Sequence, residues 1–477
     1  MPFLSARWGV STVTQFDKRN LSMMMDFYEM TMSYGYFRQT HGDVRVAFDL
    51  FFRSVPDKGG YAVFAGLEHV IEFVENLSFS DEDIDYFRAQ NLFSEEFLTF
   101  LRGFRFRGDI YAVPEGTIIY PDEPLMTIVA PIIDAQLIET AVLAQINHQS
   151  LIATKASRIV RAAEGRMVSD FGARRAHNMD AATYGARAAY IGGVDMTATV
   201  AAGQQFGIPI SGTMAHSWVM FFEDELTAFK HYAEIYPQAT VLLVDTYDVI
   251  RSGIPNAIRT AREVLEPQGR RLLGVRIDSG DLFTEVTHVR ELLDRLGATS
   301  TRIIVTNDLD EYQIAALRGA PVDGFGVGTS LVTGSGHPTC GFVYKLVARA
   351  TADSPDAPLI DVAKKSANKR TIGGRKFALR SIDERGKAQA EVIGVNAAPR
   401  ADSGDRTLLV DLVRNGEAVG AEPLQDARDR HEAARAELPI DAQRISNAEP
   451  AVPTIILDEQ GRELDNVYAA GRPAENV

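Results

Sequence analysis

Between about residues 166 and 330 the chain alternates short apolar, β-branched runs with longer stretches of helical periodicity. The runs are Met167–Asp170, Ala189–Asp195, Ile208–Thr213, Thr240–Asp245, Arg271–Asp278, Thr301–Asn307 and Asp323–Thr329. The stretches between them carry helix punctuation. Thr197–Phe206 is followed by Gly207, a common C-terminal cap. Glu223–Tyr236 opens on three acids and stops at Pro237, and Pro255–Leu265 has proline in its first turn. Leu282–Leu296 and Leu309–Leu317 are closely followed by Gly297 and Gly319. Strands alternating with helices predict βα units and a parallel sheet. Seven units in unbroken series predict an α/β fold with a closed or nearly closed barrel; a doubly wound open sheet is the alternative.

The flanks follow another pattern. Residues 1–130 mix helical stretches with the β-like runs Arg45–Phe52, Asp109–Val113, Thr117–Tyr120 and Leu125–Val129. Pro114, Gly116, Pro121 and Pro124 punctuate the later runs, as in a small α+β module. Asp134–Ala163 reads as one long helix, capped by Asp134, with Lys155, Arg158 and Arg161 complementing its dipole. Beyond Ala350 strand-like runs return (Thr371–Arg380, Gln389–Val395, Thr407–Val413), and a charged helix follows at Asp426–Ala436. Asp353–Ala357 and Ala397–Asp405 read as loops. The expected organisation is an N-terminal α+β module with its connecting helix (1–150), an α/β barrel carrying the active site (151–348), and a C-terminal region packing back on the first module (349–477).

Composition narrows the class. Of the 477 residues, 45% are apolar and 24% charged, which is globular rather than disordered or fibrous. The net charge of −15 argues against nucleic acid or an anionic membrane as partner, while leaving room for a local basic pocket. A single cysteine, Cys340, excludes internal disulfides and multi-cysteine metal sites. No apolar run approaches the ~18 residues of a membrane span. The opening MPFLSARWGV lacks the basic start and apolar core of a signal peptide, so a cytoplasmic location is expected.

Candidate chemistry follows from one rule: in α/β barrels the ligand-binding groups gather at the carboxyl ends of the strands. Those ends carry Ser169-Asp170-Phe171-Gly172, Asp195, Gly212-Thr213-Met214-Ala215-His216-Ser217, Asp245-Thr246-Tyr247-Asp248, Arg276-Ile277-Asp278-Ser279-Gly280-Asp281, Thr306-Asn307-Asp308 and Gly326-Val327-Gly328-Thr329-Ser330. Any one of these acids or hydroxyls can simply cap the helix that follows. As a set on one face they point to an active site. His216, with Asp245 at the next strand end as an orienting carboxylate, can serve as a base or as a phosphate-accepting nucleophile. Gly326-Val327-Gly328-Thr329 suits a phosphate cradle. Arg276 can grip a phosphate or carboxylate, and Asp278, Ser279 and Asp281 can meet ribose hydroxyls or Mg²⁺. Phe171 beside Arg174 and Arg175 suits a flat anionic ring. No strand end offers the lysine of a Schiff-base lyase, and no Walker A or GxGxxG motif follows a strand.

Six blocks in this order resemble the nicotinate phosphoribosyltransferase family across nearly the whole chain. They are Asp26-Phe27-Tyr28-Glu29-Met30-Thr31-Met32, Phe171-Gly172-Ala173-Arg174-Arg175-Ala176, Gly212-Thr213-Met214-Ala215-His216-Ser217, Leu243-Val244-Asp245-Thr246-Tyr247-Asp248, Gly274-Val275-Arg276-Ile277-Asp278-Ser279-Gly280-Asp281 and Gly326-Val327-Gly328-Thr329. The resemblance implies a type II phosphoribosyltransferase fold: an incomplete seven-stranded α/β barrel with a split α+β module built from the N- and C-terminal regions. It implies that nicotinate and phosphoribosyl pyrophosphate form nicotinate mononucleotide and pyrophosphate in NAD salvage, with ATP hydrolysis coupled through a phosphohistidine and Mg²⁺ accompanying the pyrophosphate. In that scheme His216 is the phosphorylated residue and Asp245 orients it. Phe171, with Tyr28 from a partner subunit, sandwiches the pyridine ring, which requires a homodimer. Thr213 lines the base pocket, Arg174 and Arg276 contact the carboxylate or phosphates, Asp278 and Ser279 lie near the ribose, and Gly328 and Thr329 bind the 5-phosphate. The Gly373-Gly374-Arg375-Lys376 turn reads as an exposed hairpin, or alternatively a basic lip over phosphates. Asp195 leaves open a nicotinamide-using relative of the same fold, and a catalytically silent nucleotide-binding barrel is a further alternative.

Overall fold

The computed structural model describes residues 21–464 apart from 41, 335, 353, 355–356, 365–370 and 446–447. The opening ten residues and most of the Asp353–Ala357 loop therefore lie outside the described residues. Two compact units emerge. One joins the chain up to Thr154 with the chain from Thr339 onward, and the other is Lys155–Pro338. The boundary falls within the helix Glu139–Ala163.

The second unit is a parallel sheet with helical connections. Its strand order is Met196–Thr197, Met167–Asp170, Gly324–Val327, Arg302–Thr306, Gly274–Ile277, Val241–Leu243. Every pairing is parallel. The last strand in sequence thus lies beside the first, with Gly326 opposite Ser169. Val168, Leu242, Leu243, Val275, Ile277, Ile303, Val305, Phe325 and Val327 are all buried. Such near-continuous apolar runs are what a parallel sheet covered on both faces requires.

Two of the seven predicted runs differ. Ala189–Ile191 is the buried end of the helix Met179–Ile191, and the strand that follows is only Met196–Thr197. A short apolar run cannot be assigned to helix or strand by periodicity alone, and here helix packing took it. Ile208–Thr213 adds a single parallel bridge, Ile210 to Thr197, on the outer side of that strand. Helix ends follow the punctuation. Asn178, Asp224, Asp281 and Asp310 cap the helices behind them by accepting from backbone N–H groups two or three residues on. Gly207 ends its helix at φ +69°, where a side chain would be strained. Within this unit, Glu311 is fully buried between Arg158 and Lys155, with nitrogen–oxygen distances of 2.9 and 2.8 Å.

The first unit holds a mostly antiparallel sheet ordered Leu359–Asp361, Val343–Ala350, Arg45–Phe51, Met126–Pro131, Asp109–Ala112, Val410–Arg414, Glu417–Ala418. A four-stranded sheet contains Lys376–Ile382 and Ala388–Val395. Aromatic rings of Tyr34, Phe37, Phe87, Phe93, Phe97 and Phe100 pack edge-on or tilted in its helical layer. The predicted continuous helix from Asp134 is two helices, Ile132–Gln136 and Glu139–Ala163. Asp134 does not cap the long one; it is buried and bound to Arg107 at 2.8 Å. Lys376 does not sit in an exposed hairpin or a basic lip. It is buried, 2.7 Å from Asp49, and its ammonium also donates to the carbonyls of Ile372 and Gly374. A buried ammonium must be paired in this way, so it is spent on the fold. No helix among the described residues is long and apolar enough to cross a membrane.

Candidate active site

The carboxyl ends of the parallel strands bring several of the predicted residues into small hydrogen-bonded groups: Arg276 with Thr213, Asp245 with Asp278 and Ser279, and His216 with Thr246. Arg276, at the end of Gly274–Ile277, donates from Nη1 to the Thr213 hydroxyl at 2.5 Å. Its Nε is buried without a partner. Burial pushes the guanidinium's pKa down, Asp278 and Asp245 hold it up, and the nearby Arg174 pushes it down again. Such an arginine gains from any anion delivered to it. Tyr232, whose hydroxyl is pushed up chiefly by burial, lies within electrostatic reach of the same guanidinium.

The acids divide into two roles. Asp245 Oδ2 accepts the backbone N–H of Asp278 at 2.9 Å and the hydroxyl of Ser279 at 2.7 Å. Its Oδ1 is buried with no partner. Asp278 accepts the Thr306 hydroxyl on Oδ1 at 2.5 Å, and its Oδ2 stands 3.6 Å from His216 Nε2. The other ring nitrogen of His216, Nδ1, is 3.1 Å from the Thr246 hydroxyl. The orienting contact expected between Asp245 and His216 is therefore replaced. Asp245 turns toward the neighbouring strand end and fixes the Asp278–Ser279 turn, while the next residue, Thr246, meets the histidine. Asp248 and Asp281, also on the sequence's candidate list, are helix caps. Asp248 accepts from the N–H groups of Ile250 and Arg251, and Asp281 from Thr284.

Phe171 is placed by its neighbours. Its N–H donates to Val327 O at 2.8 Å. Asp170, buried beneath the turn, accepts the Gly172 N–H at 2.8 Å and the Thr197 hydroxyl at 2.7 Å. Burial raises the Asp170 carboxyl's pKa, and these two bonds oppose the rise. The Phe171 ring lies close against Gly326; a Cβ built there would come within 2.6 Å of it. A Cβ on Gly172 would come within 2.8 Å of Gly328 O. Gly326 and Gly172 are thus close-approach glycines. Gly328 precedes the short helix Thr329–Val332, and Thr329 is exposed at its start. Arg174 is exposed in the turn after Phe171.

Tyr28 belongs to the first unit, on the helix Phe27–Thr40, and is 44% exposed. Its hydroxyl is pushed above the ordinary tyrosine range by partial burial and by Glu139, Glu29 and Asp26. The adjacent Glu29 is fully buried and accepts the N–H groups of Asp26 and Thr140, at 3.4 and 3.1 Å. Burial pushes its carboxyl up to about 7. Sequence reading missed Thr246, Thr306, Asp170 as a support, and Glu29. Thr246 and Thr306 did stand in the strand-end blocks, next to the residues singled out.

Asp195 is spent on the sheet. Its carboxylate accepts the Val168 N–H at 2.9 Å while its own N–H donates to Val168 O. Among the described residues no group of three or more His, Cys, Asp or Glu side chains is arranged to hold a metal ion.

Residues 23–147 match the nicotinate phosphoribosyltransferase N-terminal domain, and residues 167–377 match the nicotinate phosphoribosyltransferase family. The chain is 46% identical over 375 residues to the nicotinate phosphoribosyltransferase of Bacillus subtilis, covering 77% of this chain and 75% of that one. It is 40% identical over 466 residues to a nicotinate phosphoribosyltransferase of Mycobacterium tuberculosis, covering 96% of each. The crystal structure of human nicotinic acid phosphoribosyltransferase is similar with a TM-score of 0.79 at 26% identity, over 92% of this chain and 98% of that one. Nearly full-length relatives at this identity, matched through both the N-terminal and the catalytic segments, leave one assignment: the chain belongs to the nicotinate phosphoribosyltransferase family.

Proposed function

We propose that this protein is an ATP-coupled nicotinate phosphoribosyltransferase of NAD salvage. The observation that carries the reading is the convergence of Arg276–Thr213, His216 and the Asp245–Asp278–Ser279 network at neighbouring strand ends, in a chain 46% identical to a nicotinate phosphoribosyltransferase. The ring nitrogen of nicotinate forms a bond to C1 of the ribose. The bond from C1 to the pyrophosphate oxygen breaks, and pyrophosphate leaves with the electron pair. An oxocarbenium-like ribose develops between the two, so the protein's task is positioning and electrostatic stabilisation.

Each residue has a part in that reading. Phe171, and Tyr28 of a partner subunit in a homodimer, stack on the pyridine ring. Thr213 and Arg276 hold the base carboxylate, with Arg174 beside them. Asp278 and Ser279 meet the ribose, and Gly328 and Thr329 the 5-phosphate. His216 accepts the γ-phosphoryl group of ATP on a ring nitrogen as the bond to the β-phosphate oxygen breaks and ADP leaves. Mg²⁺ would supply neutralisation of the pyrophosphate charge. Asp245, whose Oδ1 has no partner, and Asp278 are the carboxylates that would hold it. The sheet, with its last strand beside its first and a bridge reaching Ile210, fits an incomplete seven-stranded barrel. The case for nicotinamide rested on Asp195, and that carboxylate is engaged with Val168.

The test is product formation from nicotinate and phosphoribosyl pyrophosphate with Mg²⁺, with and without ATP, and with nicotinamide in parallel. Nicotinate mononucleotide that rises with ATP supports the proposal. Product from nicotinamide alone overturns the base assignment, and no product from either base overturns the function.

A further inference from the structure

We infer that Thr246 is the positioning residue of His216, holding the imidazole by Nδ1 in either neutral tautomer. This rests on the reading of His216 as the reacting histidine. The geometry has three parts. The Thr246 hydroxyl is 3.1 Å from Nδ1, within hydrogen-bond reach of a ring nitrogen. Asp278 Oδ2, at 3.6 Å from Nε2, is too far for a hydrogen bond, so Nε2 is the nitrogen without one. Asp245, the carboxylate that would ordinarily be paired with such a histidine, is engaged with Asp278 N and Ser279 Oγ.

The chemical consequence differs from that of a carboxylate partner. An ionised carboxylate only accepts, so it would lock a proton onto Nδ1. A hydroxyl can donate to a bare Nδ1 or accept from a protonated one. Thr246 therefore keeps its hold on the ring in either neutral tautomer, and the ring need not turn when its proton moves. The charged groups facing this arrangement are Asp278 at Nε2, Arg276 two residues before it, and Asp245 from the neighbouring strand end, bonded to Asp278 N. Thr306 completes the frame by fixing Asp278 through its other oxygen at 2.5 Å. Each side of the histidine is thus set by a threonine, Thr246 directly and Thr306 through Asp278.

The experiment compares Thr246→Val, which keeps the shape, with Thr246→Ser, which keeps the hydroxyl. One hydrogen bond of this kind is worth a factor of about 3–10 in a rate that depends on it. Thr246→Val is expected to lose ~3–10-fold in the ATP-stimulated kcat, with the nicotinate KM within about twofold of wild type, and Thr246→Ser to recover most of the loss. The second readout needs no turnover. Imidazole ¹⁵N spectra of the substrate-free protein, with His216 assigned by its absence in His216→Asn, should show the Nδ1 resonance displaced in the valine variant and at its wild-type position in the serine variant. An unmoved Nδ1 resonance in the valine variant overturns the inference. Equal losses in valine and serine variants also overturn it, because shape rather than the hydroxyl would then matter. A displaced Nδ1 resonance in a protein that makes no nicotinate mononucleotide would uphold the contact and sink the function, so the two failures are distinguishable.

Discussion

Adding one methyl group at Gly326 should damage base binding as well as the fold. Gly326 is paired to Ser169 on one side and Thr306 on the other. It lies outside the left-handed region, so alanine carries no backbone penalty there. The effect of Gly326→Ala is then purely steric. Its Cβ would stand 2.6 and 2.7 Å from Phe171 Cδ2 and Cε2, and 2.5 Å from Thr306 Cγ2. Carbon atoms in contact prefer about 3.5–4.0 Å, so each neighbour must retreat by about 1 Å. The strand cannot give way, because both its edges are hydrogen-bonded. The movable groups are the Phe171 ring and the Thr306 side chain. Overpacking of this kind costs about 1–3 kcal/mol of stability. A misplacement of ~1 Å at a substrate-positioning group can cost ~10²-fold in rate. The expected outcome is a fall of ~10–100-fold in kcat/KM for nicotinate with a modest drop in Tm. Steady-state kinetics with each substrate varied in turn, beside a thermal melt, would measure both. A variant with a lowered Tm but wild-type kcat/KM for nicotinate would refute the reasoning, since the Phe171 ring would have moved without consequence for the base.

Three further perturbations test other parts of the structure. Asp170→Asn should weaken the support under Phe171 by about 1–3 kcal/mol, because an amide offers one acceptor oxygen where the carboxylate uses two, one for the Gly172 N–H and one for the Thr197 hydroxyl; denaturant melts and the nicotinate KM would show it, and unchanged values of both would count against it. Arg380→Met should cost about 3–5 kcal/mol by urea unfolding, because it leaves Glu391 and Glu123 buried without their cation; a neutral result would mean that the two acids already share the burden as protonated groups. His431 is buried on the helix Leu424–Glu437, donates from Nδ1 to Gly116 O, and is pushed down by burial to about 3. The unfolded chain takes up the proton first, so stability is full above ~6.5 and falls as pH drops toward 3, by about 1.4 kcal/mol per pH unit. His431→Asn should flatten that acid limb, and an equally steep limb in the variant would place the proton uptake elsewhere.

The parallel sheet was legible because burial on both faces writes it as apolar runs separated by capped helices. What misled the reading was local. At Ala189–Ile191 the apolar run was the buried end of a helix, and periodicity has no means to separate helix from strand over so short a span. At Asp134 a residue type favoured as a helix cap was instead claimed by Arg107, 27 positions away in the chain. At Lys376 a basic turn resembled a surface feature, yet its ammonium neutralises Asp49, 327 positions away. At Asp134 and Lys376 a long-range partner decided the outcome, and a partner at that separation leaves no mark in the local pattern.

The site shows a finer division that was partly written in the spacing. Two strand ends carry acids three apart: Asp245 with Asp248, and Asp278 with Asp281. In both pairs the second acid caps the π-helical or α-helical turn that follows. In both, the first acid joins the network at the strand ends. The physical reason is the geometry of a βα turn. At the strand end the side chain still points out of the sheet's carboxyl edge, and three residues later the chain has turned to present orphan backbone N–H groups. Helix capping and the active site are therefore not rival explanations of these acids but successive positions in one turn. Spacing alone could not assign the partner of His216. Asp245 and Thr246 are adjacent, and which of them meets the imidazole depends on how the turn is wound. The engagement of Asp245 with the Asp278–Ser279 turn leaves a hydroxyl, rather than a carboxylate, to hold the histidine.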